Sequence, residues 1–444
     1  FYIDGGTLNF ASRLNSASAL TYNQSSGTVN INQNGNTFSA TPSFGLSSTT
    51  ASITMSGGTI QLHLISGGTT PQDWNLQSAI SGTIGTTVIF GSTSTVTRGA
   101  SGFIFSARGN LPNVLIDSVT NNKTLRDSVG AMNIQGTLTI PTGCTFDNGG
   151  TGTTATVASM NGNVVNRGNI TISNVSASNR IQFGGTSAQT YNAGGFTGNF
   201  GTNASPVLGV NISNASGVTL NDSIITFRVN LFNGTVTNSG KIRLGNFSAT
   251  AVAVQRGPGN TSNAAGSFDA VPNYQYPSAN GLSLLYSAAS TSITTGNEVP
   301  TSRNIANLSC TNASGLTVSG GDLNLVQGTK PTLTMGAANI DFGANNLVMG
   351  STSLVDTIVY TSGLLNFTTG SMTRFFPTSG LPTAVGTLSG AGTNKGFYPI
   401  ANSSNNRHFA VAFSVQNALS TAGSITVSHS SASGTTGVTS YSDA

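Results

Sequence analysis

One wording occurs three times along this chain, and it constrains the fold more than any local motif. Leu111-Pro-Asn-Val114-Leu-Ile116 leads to Thr124-Leu125-Arg-Asp-Ser-Val129 and then to Ile134-Gln-Gly136-Thr137-Leu138. Val210-Asn-Ile212 leads through Asn214-Ala-Ser-Gly217-Val-Thr219-Leu220-Asn-Asp-Ser-Ile224 to Phe232-Asn-Gly234-Thr235-Val236. Leu308-Ser-Cys310 leads through Asn312-Ala-Ser-Gly315-Leu-Thr317-Val318 to Val326-Gln-Gly328-Thr329. The Gly-Thr steps at 136, 234 and 328 lie 98 and 94 residues apart. Self-similarity at a near-fixed period is the mark of a structural array. What recurs is apolar alternation and glycine turns, so the repeat is architectural.

Composition narrows the array to β-structure. Only 6% of the 444 residues are charged, against roughly 25% in an ordinary soluble protein. Glycine, serine, threonine and asparagine take their place, and such surfaces suit stacked strands whose hydroxyl and amide groups bond along ladders. Disordered chains lack aliphatic residues and carry high net charge; with 37% apolar residues and a formal charge of +4, this chain does neither. The basic residues are scattered singly, without the cluster that phosphate neutralisation needs, which excludes nucleic acid as a partner. No apolar run approaches the roughly 18 residues of a membrane helix. The first residue is Phe1 rather than Met, which fits a removed export signal or a piece of a larger protein.

Period-two runs are everywhere: Thr7-Leu-Asn-Phe10, Thr28-Val-Asn-Ile31, Thr59-Ile-Gln-Leu62, Thr137-Leu-Thr-Ile140 and Ser424-Ile-Thr-Val427. Each reads as a strand with one buried face. Gly5-Gly6, Ser26-Gly27 and Gly57-Gly58 precede several of them, as corners at which glycine takes φ > 0. The expected fold is all-β, a parallel β-helix or β-solenoid rod. A coil of roughly twenty residues, stacked at about 4.8 Å, would make the rod on the order of 100 Å long. A string of immunoglobulin-like sandwiches is the rival, but the repeats lack a Cys–Trp–Cys core and a tyrosine corner. Residues 1–100 read as an N-terminal β region with Gly-Gly-Thr strands and 101–370 as the solenoid holding the three repeats. Residues 371–444, with Arg374-Phe-Phe-Pro377, Gly396-Phe-Tyr-Pro399 and Phe409-Ala-Val-Ala-Phe413, read as a small C-terminal β-sandwich-like region.

Side chains that could carry chemistry are few. Cys144 and Cys310 read as small buried hydrophobes rather than a disulfide, and His63, His408 and His429 show no ligand spacing with them, so no metal is expected. Glycoside hydrolysis needs two carboxylates about 5–9.5 Å apart. The chain has 11 Asp and the single Glu298, no two closer in sequence than Asp117 and Asp127. No catalytic residue and no cofactor is expected, and a polysaccharide-degrading β-helix enzyme is the weakest reading. For a carbohydrate-binding surface the candidate contact aromatics are Trp74, Tyr274, Tyr276 and Tyr286. Tyr274 and Tyr276 sit in a Pro/Asn/Ser-rich stretch at about 256–300.

Tyr22-Asn-Gln-Ser-Ser-Gly-Thr-Val29, Thr54-Met-Ser-Gly-Gly-Thr-Ile60, Gly185-Thr-Ser-Ala-Gln-Thr-Tyr191, Asn312-Ala-Ser-Gly-Leu-Thr-Val318 and Asn345-Asn-Leu-Val-Met-Gly350 have a common style. Together they resemble the extracellular repeat regions of large secreted surface and adhesin proteins of Bacteroidota. Phe375-Phe-Pro and Phe397-Tyr-Pro-Ile400 resemble an element that follows such repeats, although here the arginine of its second half is missing. The resemblance implies export by the type IX pathway and a role in adhesion, surface coats or fibres. The C-terminal sorting domain of such cargo is not seen, which fits a processed or partial product. It also implies O-glycosylation at Asp-Ser/Thr-aliphatic triplets, which would fall on Ser118, Ser128, Ser223 and Thr357. About one or two such triplets arise by chance in so Ser/Thr-rich a chain, and the alternative is an aspartate turning a corner.

The leading expectation is therefore a non-catalytic extracellular structural protein, a fibre subunit. Its partners would be copies of itself, joined head-to-tail through open β-edges by terminal segments such as 1–10 or 424–444. The alternative is a monomeric adhesin, a surface rod that binds cell-surface glycans.

Overall fold

The computed structural model describes residues 1–33, 41–64, 73–91, 103–117, 123–149, 157–172, 179–195, 200, 209–246, 251–257, 265–287, 289–336, 339–386, 396–402, 405–409 and 420–428. They form short β-strands and one 3₁₀ turn, Ser239–Lys241; no α-helix is found among them. The chain divides into two compact units, Phe1–Thr226 and Phe227–Ala444. Both are stacks of parallel sheets, as the alternating pattern and glycine corners require and as a β-helix would build them.

In the first unit the chain visits three sheets in turn. Thr21–Gln24, Thr28–Ile31 and Phe44–Leu46 are followed by Ser52–Met55, Thr59–Leu62 and Trp74–Leu76, each paired in parallel with its counterpart in the preceding pass. One sheet continues without interruption through Thr87–Phe90, Asn113–Ile116, Leu138–Ile140, Val164–Asn166 and Gln189–Asn192 to Val218–Leu220. These ladders therefore run straight through the boundary near residue 100 suggested by composition. The long strands Phe103–Leu111 and Lys123–Ile134 shift register between Ala107 and Gly109 and so serve two ladders. One goes on to Thr145–Asp147 and Asn169–Thr171. The other goes on to Val157–Met160, Arg180–Phe183 and Val210–Ser213.

The second unit repeats the plan. Arg228–Asn233, Val252–Arg256, Leu282–Tyr286, Asn307–Cys310, Thr332–Met335, Thr357–Tyr360 and Thr383–Gly386 form one parallel sheet. Leu284, Leu308, Leu333 and Ile358 stand in register, so a pass takes 24 residues (284 to 308) and then 25 (308 to 333, 333 to 358). In the first unit Val29 to Ile60 takes 31. Passes are longer than the roughly twenty residues expected, because corners are loops and not single glycines. A second sheet joins Ile293–Thr294, Leu316–Thr317, Ile340–Gly343, Leu365–Phe367 and Ile400–Asn402 in parallel. A third joins Asn304–Ile305, Leu323–Leu325, Leu347–Met349 and Ser371–Phe376.

Parallel pairing persists past residue 371 to Ile400–Asn402, where Asn405–Phe409 adds an antiparallel strand. Gly423–Ser428 likewise lies antiparallel on Ser371–Phe376, pairing all six residues. Gly423–Ser428 of the same chain thus covers this sheet edge.

Why the sequence settles into stacked strands is visible at the inward positions. Val29, Ile31, Ile60, Leu62, Val88, Phe90 and Ile116 are all fully buried, each over its equivalent in the coil below. Burying such a side chain contributes about 1.5–3 kcal/mol. The corners need glycine where the backbones of neighbouring coils touch. Gly58 (φ +83°) could not carry a Cβ, which would stand 2.5 Å from the carbonyl oxygen of Gly27 in the adjacent coil.

Candidate functional site

Strand parity, which places apolar side chains inside, also places a few charged ones there. Val252–Arg256 and Leu282–Tyr286 both alternate with their even-numbered residues inward, so Arg256 and Tyr286 follow Val252, Val254, Leu282 and Leu284 into the interior. There they meet Glu298, the only glutamate of the chain, which is 1% exposed. Its Oε1 accepts from Arg256 Nη1 at 3.0 Å, from the Tyr286 hydroxyl at 2.8 Å and from the Gly296 amide at 3.0 Å. Arg256 also donates from Nε to the Gly266 carbonyl at 2.8 Å and from Nη1 to the Thr294 carbonyl at 2.6 Å. The Tyr274 hydroxyl donates to the Glu298 backbone carbonyl, and the Tyr276 ring packs edge-on against Tyr274 with centroids 6.0 Å apart.

The electrostatics follow from this enclosure. Burial, with the negative charge of Glu298 added, holds the phenols of Tyr274 and Tyr286 well above the ordinary tyrosine range, so both remain proton donors. Burial, partly offset by a hydrogen bond with the Gln327 side chain, lifts Tyr276 to about 12. A single carboxylate engaged by three donors lacks the second acid that sugar hydrolysis would use. Chemically the cluster balances one buried charge against another.

The four aromatic candidates separate accordingly. Trp74 and Tyr286 are not surface groups. Trp74 is fully buried, stacked on Phe44 with ring centroids 4.2 Å apart, its indole N–H donating to the Asn110 carbonyl at 2.8 Å. Tyr286 is inside by the same parity rule. Tyr274 and Tyr276 are partly exposed and meet at the Glu298 cluster.

Two further buried cations meet carboxylates inside the stack. Met372, Arg374 and Phe376 are the buried positions of Ser371–Phe376. Arg374 grips Asp356 through Nε and Nη2, and donates to the carbonyls of Phe397 (2.9 Å) and Thr383 (3.2 Å). In the first unit, Lys123, 1% exposed, directs Nζ to Asp117 at 4.0 Å. The signal is the same in all three cases: a cation on the parity of the apolar residues next to it in its strand, as Lys123 is with Leu125.

The glycosylation candidates scatter. Ser118 lies outside the described residues. Ser128 is in the strand Lys123–Ile134, and its side chain also lies outside them. Ser223 is half-buried at a corner where the Asp222 carboxylate accepts the amides of Ala193 (2.5 Å) and Gly195 (3.1 Å), backbone of the preceding coil and not its own. Thr357 is 8% exposed, its hydroxyl 2.8 Å from that of Thr383 in the next coil, which leaves no room for a sugar. Asp127 lies within a strand and Asp222 at a corner, so the two Asp-Ser steps do not occupy the same place in the fold.

Cys144 and Cys310 are free and buried, and burial pushes both thiols up, Cys310 to about 11. No group of three metal-ligating side chains occurs among the described residues, and no helix is long and apolar enough to cross a membrane. Comparison with protein-family models, with curated proteins and with solved structures finds no match.

Proposed function

We propose that this chain is a non-catalytic extracellular structural protein, a β-solenoid that joins copies of itself head-to-tail into a surface fibre. The placement of its exposed apolar side chains supports this most directly. Among the described residues the large apolar side chains on the surface are Phe1 (43% exposed), Tyr2 (75%), Leu8 (36%) and Val385 (43%). In the first unit, Phe1, Tyr2 and Leu8 belong to the coil of Tyr2–Ile3, Thr7–Phe10 and Leu14–Ser16, whose described pairings all lie on one side. In the second unit, Val385 sits in Thr383–Gly386, whose described pairing is with Thr357–Tyr360 alone. Open strand edges next to exposed apolar groups are templates for another chain, and natural proteins usually guard them with charge or proline. None of these four strands contains a charged residue or a proline, though Asp4, Arg13 and Pro382 directly flank three of them. A heterologous contact between two unlike edges propagates into a filament.

The joining strand differs from one expectation. Gly423–Ser428 is engaged within its own chain on Ser371–Phe376, so the joint is proposed at Phe1–Phe10 and Thr383–Gly386 instead of at 424–444. The carbohydrate-binding alternative is weakened, since Trp74 and Tyr286 are interior. Export and the surface location rest on the resemblance to Bacteroidota surface proteins. Sedimentation of the purified chain over a range of concentrations tests the proposal. Growth of the sedimenting mass with concentration supports it, and a monodisperse monomer at high concentration counts against it.

A further inference from the structure

The corner at Lys123 is built around the lysine side chain. Gly91, at φ +115°, stands beside the stem: a Cβ there would lie 2.4 Å from Cδ and 2.5 Å from Cε of Lys123, and 3.4 Å from Cβ of Asp117. A side chain at 91 would therefore push the stem away from the carboxylate. Cys144 closes the same corner, its Sγ 3.6 Å from the Asp117 carbonyl oxygen. Within this enclosure Nζ reaches to 4.0 Å from Asp117 Oδ2, with side-chain exposures of 1% and 11%. A buried amine and a partly exposed carboxyl are thus held side by side, and such positioning turns a bimolecular condensation into an intramolecular one. Burying two opposite charges is costly in desolvation, whereas a neutral product escapes that cost.

We propose that Lys123 and Asp117 condense into an intramolecular isopeptide bond. A proton passes from Nζ to the Asp117 carboxylate, and the freed Nζ lone pair attacks Cγ. The Nζ–Cγ bond forms, one Cγ–O bond breaks, and the hydroxyl leaves as water with a proton from nitrogen. Amine plus carboxylic acid gives amide plus water, so no oxidant, reductant or activating co-reactant is needed. The product ties the end of Asn113–Ile116 to the start of Lys123–Ile134, adjoining strands of successive sheets. This site is independent of fibre formation: a cross-linked monomer and an uncross-linked fibre are both conceivable outcomes.

Mass spectrometry of the full-length purified protein decides the matter. The bond predicts an intact mass one water below that of the sequence. Trypsin would fail to cut after Lys123, yielding the peptide Gly109–Arg126 one water light. Lys123→Arg, and separately Asp117→Ala, should each have the full mass of its own sequence. Full sequence mass with complete cleavage after Lys123 in the wild type overturns the proposal, whether or not either variant folds. So does a lost water on a peptide still cut after Lys123 and opened by hydroxylamine, the behaviour of a succinimide. Retention of the deficit in Lys123→Arg overturns it as well.

Discussion

Arg256, Glu298, Arg374 and Asp356 show how a chain with so few charges uses some of them: as paired groups inside the stack. A buried pair is weak evidence of net stabilisation, but breaking one strands the other. Glu298→Ala should therefore cost about 3–5 kcal/mol, read as a lower urea midpoint, while joint replacement of Arg256 and Glu298 by methionine should recover most of that loss. An equal loss in the single and double variants would contradict the pairing. Asp322 gives a test in the opposite, exposed setting. Its carboxylate accepts from the Asn346 side chain at 3.0 Å and from the Asn346 amide at 2.7 Å, and these bonds hold it below the usual carboxylate range. A folded-state value below the unfolded one means that the unfolded chain binds more protons. The contribution is present above about pH 4 and is lost as pH falls through the lowered value. Urea midpoints measured from pH 5 to pH 2 should fall more steeply for the wild type than for Asp322→Asn; parallel curves would remove Asp322 from the account. At this scale the charged positions were legible in principle, since parity alone sends Arg256, Arg374 and Lys123 inward. Their partners were not: Arg256 and Glu298 are 42 positions apart, and only the stacking of coils brings them together.

Strands and corners were easier to read. Thr28–Ile31 and Thr59–Leu62 appear where alternation placed them, with glycine corners between coils. The long period translated less directly. Gly136 and Gly234 follow the strands Lys123–Ile134 and Arg228–Asn233, whereas Gly328 follows Leu323–Leu325, a strand of a different sheet. Gly234 (φ +74°) and Gly328 (φ +78°) are left-handed and Gly136 is not, so what the three corners share is a glycine followed by an alternating strand, a demand that different corners of the stack make alike. The antiparallel strand Gly423–Ser428 was foreseen as a strand, but its partner was not, because register depends on a return connection that alternation does not encode. Its pairing offers a direct probe: Thr373 and Thr426 face each other with hydroxyls 2.8 Å apart. The double variant Thr373→Cys with Thr426→Cys should form a disulfide within one chain, seen as faster migration on a non-reducing gel. A ladder of covalent oligomers would show instead that this strand is exchanged between copies.

At the scale of the whole molecule, side chains packed coil on coil serve to hold the stack, and under the proposed function the exposed apolar groups are where it would be extended. Low charge favours that extension, because net charge is what ordinarily keeps copies apart. Charge placed on the open edge should therefore act strongly. Tyr2→Lys combined with Leu8→Lys is expected to leave the thermal unfolding midpoint nearly unchanged, since both side chains are exposed, while suppressing association. The most direct measurement is electron microscopy of the purified wild type beside this double variant at equal concentration. Fibres in the wild type and isolated particles in the variant are the predicted result; isolated particles in both, or fibres undiminished by the two lysines, would contradict it.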